Sequence, residues 1–236
     1  MFFDPMYLLF LAPGILLGLW AQWRVKSAFR HASQIPPASG YSGAEAADLL
    51  LHRSGIDGVA IEPVEGQLSD HYDPTHKMLR LSADVYDGRS LAALGVAAHE
   101  AGHAFQDAER YPLLRMRNAL VPLANFGAGI SWLLILIGFA LSVAHFWLGP
   151  GLLYTGIAAF SLSVFFQVVN LPVEFDASAR ARRHLQETGL VMAQEDREVR
   201  RVLSAAALTY VAATLTSVLT LLYFLFRAGL LGGSDD

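Results

Sequence analysis

The sequence contains no cysteine, which excludes disulfides, thiolate metal ligands and cysteine nucleophiles together. Any metal must therefore bind to histidine, aspartate or glutamate side chains. The chain also lacks a long basic run, and its formal net charge is −4. It therefore has no electrostatic footprint for nucleic acid, and we expect no nucleic-acid partner.

Charged residues are scarce as well. They make up 16% of the chain against 54% hydrophobic residues, and the mean hydropathy is +0.39, which predicts a protein that is largely dissolved in lipid. Four uncharged segments approach the roughly 20 residues that a membrane-spanning helix needs. They lie at 6–23, 119–144, 152–171 and 202–226, and the fourth transmembrane helix is predicted to extend over 202–228. Pro13 and Gly14 interrupt the first of them, so three spans are the alternative count.

The two middle spans form a predicted hairpin over 119–171, because "HFWLGPG" at 145–151 supplies the residues of a tight turn. The first segment is predicted to be an uncleaved anchor rather than a signal peptide. An acidic residue, Asp4, precedes it, and the basic residues follow it.

Two polar pieces remain, at 24–118 and 172–201, and with four spans both lie on one side of the membrane. All but one of the 17 Lys and Arg residues, Arg227, fall in these pieces. The positive-inside rule then predicts a multi-pass protein of the cytoplasmic membrane, with both polar pieces in the cytoplasm and both termini outside.

The first polar piece has mixed local patterns. A helix is predicted from a Ser42 cap, with Glu45 three residues later and a stop at Gly55. Alternation over 59–82 around an Asp73-Pro74 turn predicts two or three short strands. The fold class is therefore a mainly α membrane protein, with about four transmembrane helices and a small α+β domain at the membrane surface.

A predicted helix over 89–108, capped by Ser90 or Asp87, carries the sequence "HEAGH". His99 and His103 are four residues apart, so both can bind one zinc ion from the same face of the helix. Glu100 projects beside that face, where a carboxylate can take a proton from a zinc-activated water. An ordinary helix with two hydrogen-bonded histidines is the alternative. The apolar surroundings make three titratable groups costly without a compensating cation.

A catalytic zinc also needs a third protein ligand. Glu174 is the first charged residue after the uncharged run that begins at Asn118, and Pro172 allows a helix to restart there. We expect Glu174 to be that ligand, in a third-ligand helix and connector over 172–201. Asp176 is the competing ligand, and an acid that complements a helix dipole is the alternative role of Glu174.

The stretches HEAGHAFQ (99–106), LSDHYDP (68–74) and NLPVEFDAS (170–178) resemble the YugP-type neutral zinc metallopeptidases, membrane proteins of the gluzincin group. The resemblance covers most of 40–180. It implies a zinc endopeptidase with one Zn²⁺ per chain and a gluzincin-like catalytic domain over 24–118.

The chain is more distantly similar to HtpX-type and CaaX prenyl-protein proteases. Those relatives carry Glu-x-x-x-Asp on the second helix, whereas Ser178 stands at that position here and the aspartate, Asp176, comes two residues earlier. In gluzincins an edge strand pairs with substrate, which implies this role for "QLSDHY" at 67–72; an ordinary hairpin is the alternative. Asp176, Ser178, His71 and Asp70 are candidates to support the ligands or to bind substrate.

We therefore expect a zinc-dependent membrane protease that acts on a peptide or membrane-protein substrate at the cytoplasmic membrane surface. The alternative is a non-catalytic membrane scaffold or chaperone-like protein, in which Asp176, Asp70 or His71 completes a structural zinc site. Cleavage within the bilayer is a narrower alternative. It requires the histidine-bearing helix to span the membrane, but Arg89 and Arg110 lie so close to its two ends that a helix at or above the interface is favoured. The basic cluster Arg180, Arg182 and Arg183 is expected to meet anionic lipid head groups.

Overall fold

The computed structural model describes residues 5–66 and 68–231, with the side chain of residue 128 left undescribed. The described part is mainly helical and contains one small sheet, which confirms the predicted fold class. In chain order, the elements are α1 (Pro5–Ala32), α2 (Gly43–Arg53), β1 (Ala60–Val64), β2 (His71–Asp73), β3 (Met78–Ser82), α3 (Ala83–Tyr86), α4 (Leu91–Ala108), α5 (Pro112–Val143), α6 (Gly149–Glu187) and α7 (Asp196–Arg227).

Four of these helices, α1, α5, α6 and α7, are long and apolar enough to cross a membrane. Each extends beyond the uncharged segment that predicts it. The first helix is continuous through Pro13, and α6 continues through Pro172 instead of restarting there. A membrane helix tolerates proline where its neighbours satisfy the freed backbone groups. The helix α4, which carries His99 and His103, is not among these four candidate membrane spans.

The chain divides into two compact units. The first contains the residues up to Leu19, Met116–Leu171 and those from Tyr210 onward. Its core is aromatic and aliphatic, with Tyr223 and Phe224 buried among Ile135 and Phe160. A Cβ added at Gly138 would lie 2.3 Å from the backbone nitrogen of Leu153, so this glycine lets α5 and α6 approach closely, as small residues do between membrane helices.

The second unit contains Trp20–Arg115 and Pro172–Thr209. Its hydrophobic core is formed largely by α2, α4 and the parts of α6 and α7 in this unit. The core includes Leu50, Leu94, Phe105 and Leu185, all nearly or fully buried. Burial of side chains of this size stabilises a fold by about 1.5–3 kcal/mol each. This core holds α4 rigidly in place.

The helix caps that the sequence predicts are present in the second unit. The Ser42 side chain accepts a hydrogen bond from the Glu45 amide, and the Glu45 carboxylate accepts one from the Ser42 amide, which is a capping box. The positive φ of Gly55 follows the end of α2. Ser90, rather than Asp87, caps α4, with its hydroxyl accepting from the Ala93 amide.

The sheet has the strand order β1-β3-β2, with β1 parallel and β2 antiparallel to β3. The connection between β2 and β3 turns at Asp73, whose carboxylate accepts from the amides of Thr75 and His76. Side-chain hydrogen bonds from His76 and Arg80 hold the pKa of the Asp73 carboxyl well below its usual range. The order leaves β2 as an edge strand. This strand spans His71–Asp73 and so includes only His71 and Tyr72 of the predicted 67–72 segment, whose Gln67 lies outside the described residues.

Gly102 determines how closely α4 approaches α6. A Cβ added there would lie 2.5 Å from the Ala177 carbonyl oxygen, well inside van der Waals contact. The backbones of the two helices therefore meet at the position between the two histidines. No larger residue fits unless α6 moves.

We expect Gly102→Ala to destabilise the protein by about 1–3 kcal/mol, as overpacking of a tight contact does. Thermal unfolding of detergent-purified protein, followed by circular dichroism, measures the change. The matched control is Gly129→Ala on α5, where an added Cβ meets nothing within 4 Å. An unfolding temperature of Gly102→Ala that equals or exceeds that of the control would contradict the close-contact interpretation.

Candidate metal centre

Three side chains converge in the second unit: His99 and His103 from α4, and Glu174 from α6. The Nε2 atom of His99 lies 3.3 Å from the Oε2 atom of Glu174, and the Nε2 atom of His103 lies 3.7 Å from the same oxygen. One ligand atom from each residue lies within 4.8 Å of the other two. Among the described residues, these three are the His and acidic side chains whose ligand atoms lie close enough together to hold one metal ion.

The geometry fits a zinc ion. Tetrahedral ligands at about 2.0–2.1 Å from zinc stand roughly 3.3–3.5 Å apart, close to the distances from each imidazole to the carboxylate. Glu174 is only 2% exposed, and a buried carboxylate is costly unless cations or hydrogen-bond donors compensate it. The two imidazoles lie close enough to supply part of that compensation, and a divalent cation bound between the three side chains would supply more.

Each imidazole turns its other nitrogen toward a polar partner. The Nδ1 atom of His99 lies 3.1 Å from the hydroxyl oxygen of Ser178, and the Nδ1 atom of His103 lies 3.0 Å from the amide oxygen of Gln106. The Gln106 oxygen can only accept, so it holds the proton of His103 on Nδ1 and leaves the Nε2 lone pair for a metal. The Ser178 hydroxyl can accept from His99 in the same way.

Gln106 is fully buried and links both helices of the centre. Its amide nitrogen donates to the Val173 carbonyl and to the Asp176 carboxylate, each at 2.8 Å. These two acceptors fix which end of the amide faces His103, so the oxygen must accept from its Nδ1–H. Gln106 was not among the residues predicted from the sequence, although its position three residues after His103 on the same helix was an available signal.

The Glu100 side chain contacts the edge strand β2. It is 8% exposed, and its Oε2 atom accepts a hydrogen bond of 3.0 Å from the Tyr72 backbone amide. The Tyr72 hydroxyl donates to Asp107 at 2.7 Å, and Lys77 also pairs with Asp107. Burial, and then the Asp107 carboxylate, raise the pKa of the Tyr72 hydroxyl above its usual range, so it remains a donor. The edge strand is thus attached to α4.

The remaining predicted residues have other partners. Asp176 accepts from Gln106 and from the Arg180 guanidinium, whereas Asp70 accepts from the amide and hydroxyl of Ser82. The ring of His71 is exposed and bonds the Ser69 carbonyl in its own loop. Asp176, Asp70 and His71, which were candidates to complete a structural zinc site, therefore have other partners in the structure.

Two arginines expected to meet lipid head groups are instead committed to ion pairs. Arg180 pairs with Asp176 and Glu109, and Arg182 makes two hydrogen bonds to Asp196. Their short sequence distance from an uncharged segment suggested lipid contact. That pattern could not reveal the Glu109 partner of Arg180, which lies 71 residues away in the chain.

We expect Gln106→Leu to lower zinc affinity by roughly 10–100-fold, the usual effect of removing a partner of a ligand histidine. Leucine retains the bulk but neither accepts from His103 nor donates to α6. Competition with a chromophoric chelator measures the affinity. The exposed Gln22→Leu on α1 is the matched control, and wild-type affinity in a folded Gln106→Leu protein would remove Gln106 from the centre.

Comparisons with known proteins agree with this geometry. The family model described as "Putative neutral zinc metallopeptidase" matches residues 7–229. The chain is 46% identical over 220 residues to the "Putative membrane protease YugP" of Bacillus subtilis (strain 168), covering 93% of this chain and 94% of the relative. No solved structure matches the chain. The resemblance seen in the motifs is confirmed, and the chain belongs to the neutral zinc metallopeptidase family.

Proposed function

We propose that this protein is a zinc-dependent endopeptidase whose centre consists of His99, His103, Glu174 and Glu100. The observation that carries the proposal is the convergence of two imidazole nitrogens on one buried carboxylate, with a second carboxylate one residue after the first histidine. That is the arrangement by which such hydrolases bind zinc and supply a base.

His99, His103 and Glu174 are the proposed zinc ligands, and Ser178 and Gln106 hold the two imidazoles in the required tautomer. A bound zinc polarises the scissile carbonyl and lowers the pKa of an attacking water to about 7. Three protein ligands leave one position open, as catalytic rather than structural sites do. A His/His/Glu donor set with an adjacent base favours zinc over other divalent ions.

Glu100 is the proposed general base. Its carboxylate accepts the proton of the attacking water and then donates it to the leaving amine nitrogen. The Tyr72 amide orients one carboxylate oxygen, so the other oxygen is available for the proton.

The proposed substrate is an extended peptide segment. Its backbone would pair with β2, the edge strand that contacts Glu100, as in other cases of strand addition. The attachment of Tyr72 to Asp107 keeps this strand at a constant distance from the base. Because such pairing reads backbone rather than side chains, we propose unfolded or membrane-protein segments as substrates.

The proposed setting is the cytoplasmic membrane. Four helices can span it, and the excess of Lys and Arg in 24–118 and 172–201 supports a cytoplasmic catalytic face with both termini outside. The substrate would then reach the centre from the cytoplasm or from the membrane interface.

We expect Glu100→Gln to retain zinc and to reduce hydrolysis by roughly 10²–10⁴-fold, the usual contribution of a positioned base. The glutamine oxygen can still accept from the Tyr72 amide, so the strand contact survives. Cleavage of β-casein by zinc-loaded protein, with zinc quantified in parallel, measures both properties. Hydrolysis at the wild-type rate would rule out Glu100 as the base.

We expect Glu174→Gln to bind zinc at least 10-fold more weakly, because a neutral amide replaces the anionic ligand. Metal content after dialysis against a chelator measures this loss. Glu187→Gln on the same helix, with an exposed side chain, is the control. Full zinc content in Glu174→Gln would exclude this carboxylate as a ligand. A wild-type protein that binds zinc but hydrolyses no peptide would favour the scaffold function.

A further inference from the structure

The second half of α1 has two different faces. One face packs into the core of the second unit through Val25, Ala28 and Ala32. The opposite face carries aromatic, basic and polar side chains at helical spacing: Trp20, Trp23, Arg24, Ser27, Arg30, His31 and Gln34. We call this second set the basic-aromatic face of α1.

Two adjoining cavities lie along this face and share Trp23 and Ser27. A cavity of about 210 Å³ is lined by Trp20, Trp23, Arg24, Ser27, Ala28 and Arg201. A cavity of about 370 Å³ is lined by Trp23, Lys26, Ser27, Arg30, His31 and Gln34. Among these lining residues there are four permanently charged cations and no carboxylate.

The positive charge of this face is weakly compensated. Arg24, Lys26 and Arg30 make no ion pair with a carboxylate among residues 5–66 and 68–231, and the Arg24 guanidinium lies 5.2 Å from the centre of the Trp20 ring. The nearest acid on this side is Glu198, at 3.7 Å from Arg201 and 3.5 Å from His31. Beyond it, Asp70 and Asp84 line a separate cavity with Lys26 and Arg30.

We propose that the basic-aromatic face binds the head group of an anionic phospholipid, with the lipid phosphate between Arg24 and Arg201. Arginine recognises phosphate oxygens with two parallel N–H donors, and Ser27 adds a hydroxyl donor in the same cavity. Lys26 and Arg30 strengthen the positive field around the anion. This site is separate from the metal centre and does not depend on its activity.

The two tryptophans favour a lipid over a free anion. Trp20 and Trp23 are 46% and 65% exposed, and they end the uncharged run of α1 immediately before its first cation. Indole rings settle at the depth of lipid head groups, and cations just beyond a span attract anionic lipids. Exposed indole rings beside the site would not contribute to the binding of a soluble phosphate ion.

The charges in the connector support the same assignment. Arg180 and Arg182 are held in ion pairs with acidic residues of the protein. The cations of α1 are not held in this way and remain available to an external anion. The lipid would thereby bridge α1 and α7, the helices that carry Arg24 and Arg201.

Native mass spectrometry of the purified full-length protein tests the proposal, by titration with phosphatidylglycerol or phosphatidylcholine. We expect the wild type to bind phosphatidylglycerol in preference. Each cation near an anionic surface raises the affinity for anionic lipid about fivefold, and the charge of Glu198 partly offsets that of Arg201. The double variant Arg24→Gln/Arg201→Gln should therefore bind phosphatidylglycerol roughly tenfold more weakly. The double variant Arg24→Lys/Arg201→Lys keeps both charges and should retain most of the affinity for phosphatidylglycerol. It is the control for the possibility that substitution at these two positions disturbs folding.

The matched control is Arg53→Gln/Arg110→Gln, which removes the same charge from two exposed arginines elsewhere in the second unit. It should bind phosphatidylglycerol as the wild type does. An equal loss in this control, or no lipid preference in the wild type, would overturn the proposal. Displacement of the lipid by millimolar inorganic phosphate would show a general anion site instead and would also overturn the lipid assignment.

Discussion

The burial of the Glu174 carboxylate against two imidazoles is the constraint on which the centre depends. An almost fully buried carboxylate is tolerated only where cations or hydrogen-bond donors surround it. His99 and His103 can surround it because Gly102, between them, lets the backbone of α4 approach Ala177 of α6. Close helix contact and a compensated charge are therefore two consequences of one packing arrangement. Loss of either would separate the three ligand atoms.

Around this centre, each polar group has a partner on another element. Gln106 bonds one ligand histidine on its own helix and also bonds α6 on both sides of Glu174, at Val173 and Asp176. Tyr72 bonds Glu100 with its amide and Asp107 with its hydroxyl. The proposed ligands, the proposed base and the edge strand are thereby held by hydrogen bonds that converge on α4. Such preorganisation is what a hydrolytic centre requires, because its reacting groups cannot reorganise cheaply during the reaction.

Much of the fold and part of the centre could be predicted from sequence. The four long helices followed from uncharged runs, and the caps of α2 and α4 followed from Ser42 and Ser90, because these signals are local. Pairing of His99 with His103 also follows from helical spacing. The contacts of Asp176 with Gln106 and of Arg180 with Glu109 could not be predicted, since these partners lie on α4 or just after its end, about seventy residues away in the chain. The shortness of β2 was equally hidden, because strand ends depend on tertiary contacts.

The sequence by itself determined the chemistry that is possible here: no thiolate ligand, two histidines on one helical face, a neighbouring glutamate, and apolar segments long enough to span a bilayer. These properties depend on residue type and on short periodic spacing, which are independent of how the helices pack. Only the tertiary structure decided that Glu174 meets both histidines, that Gln106 and Ser178 orient their rings, and that Glu100 faces the edge strand. Those relations join residues far apart in the chain, and packing alone sets the distances between them.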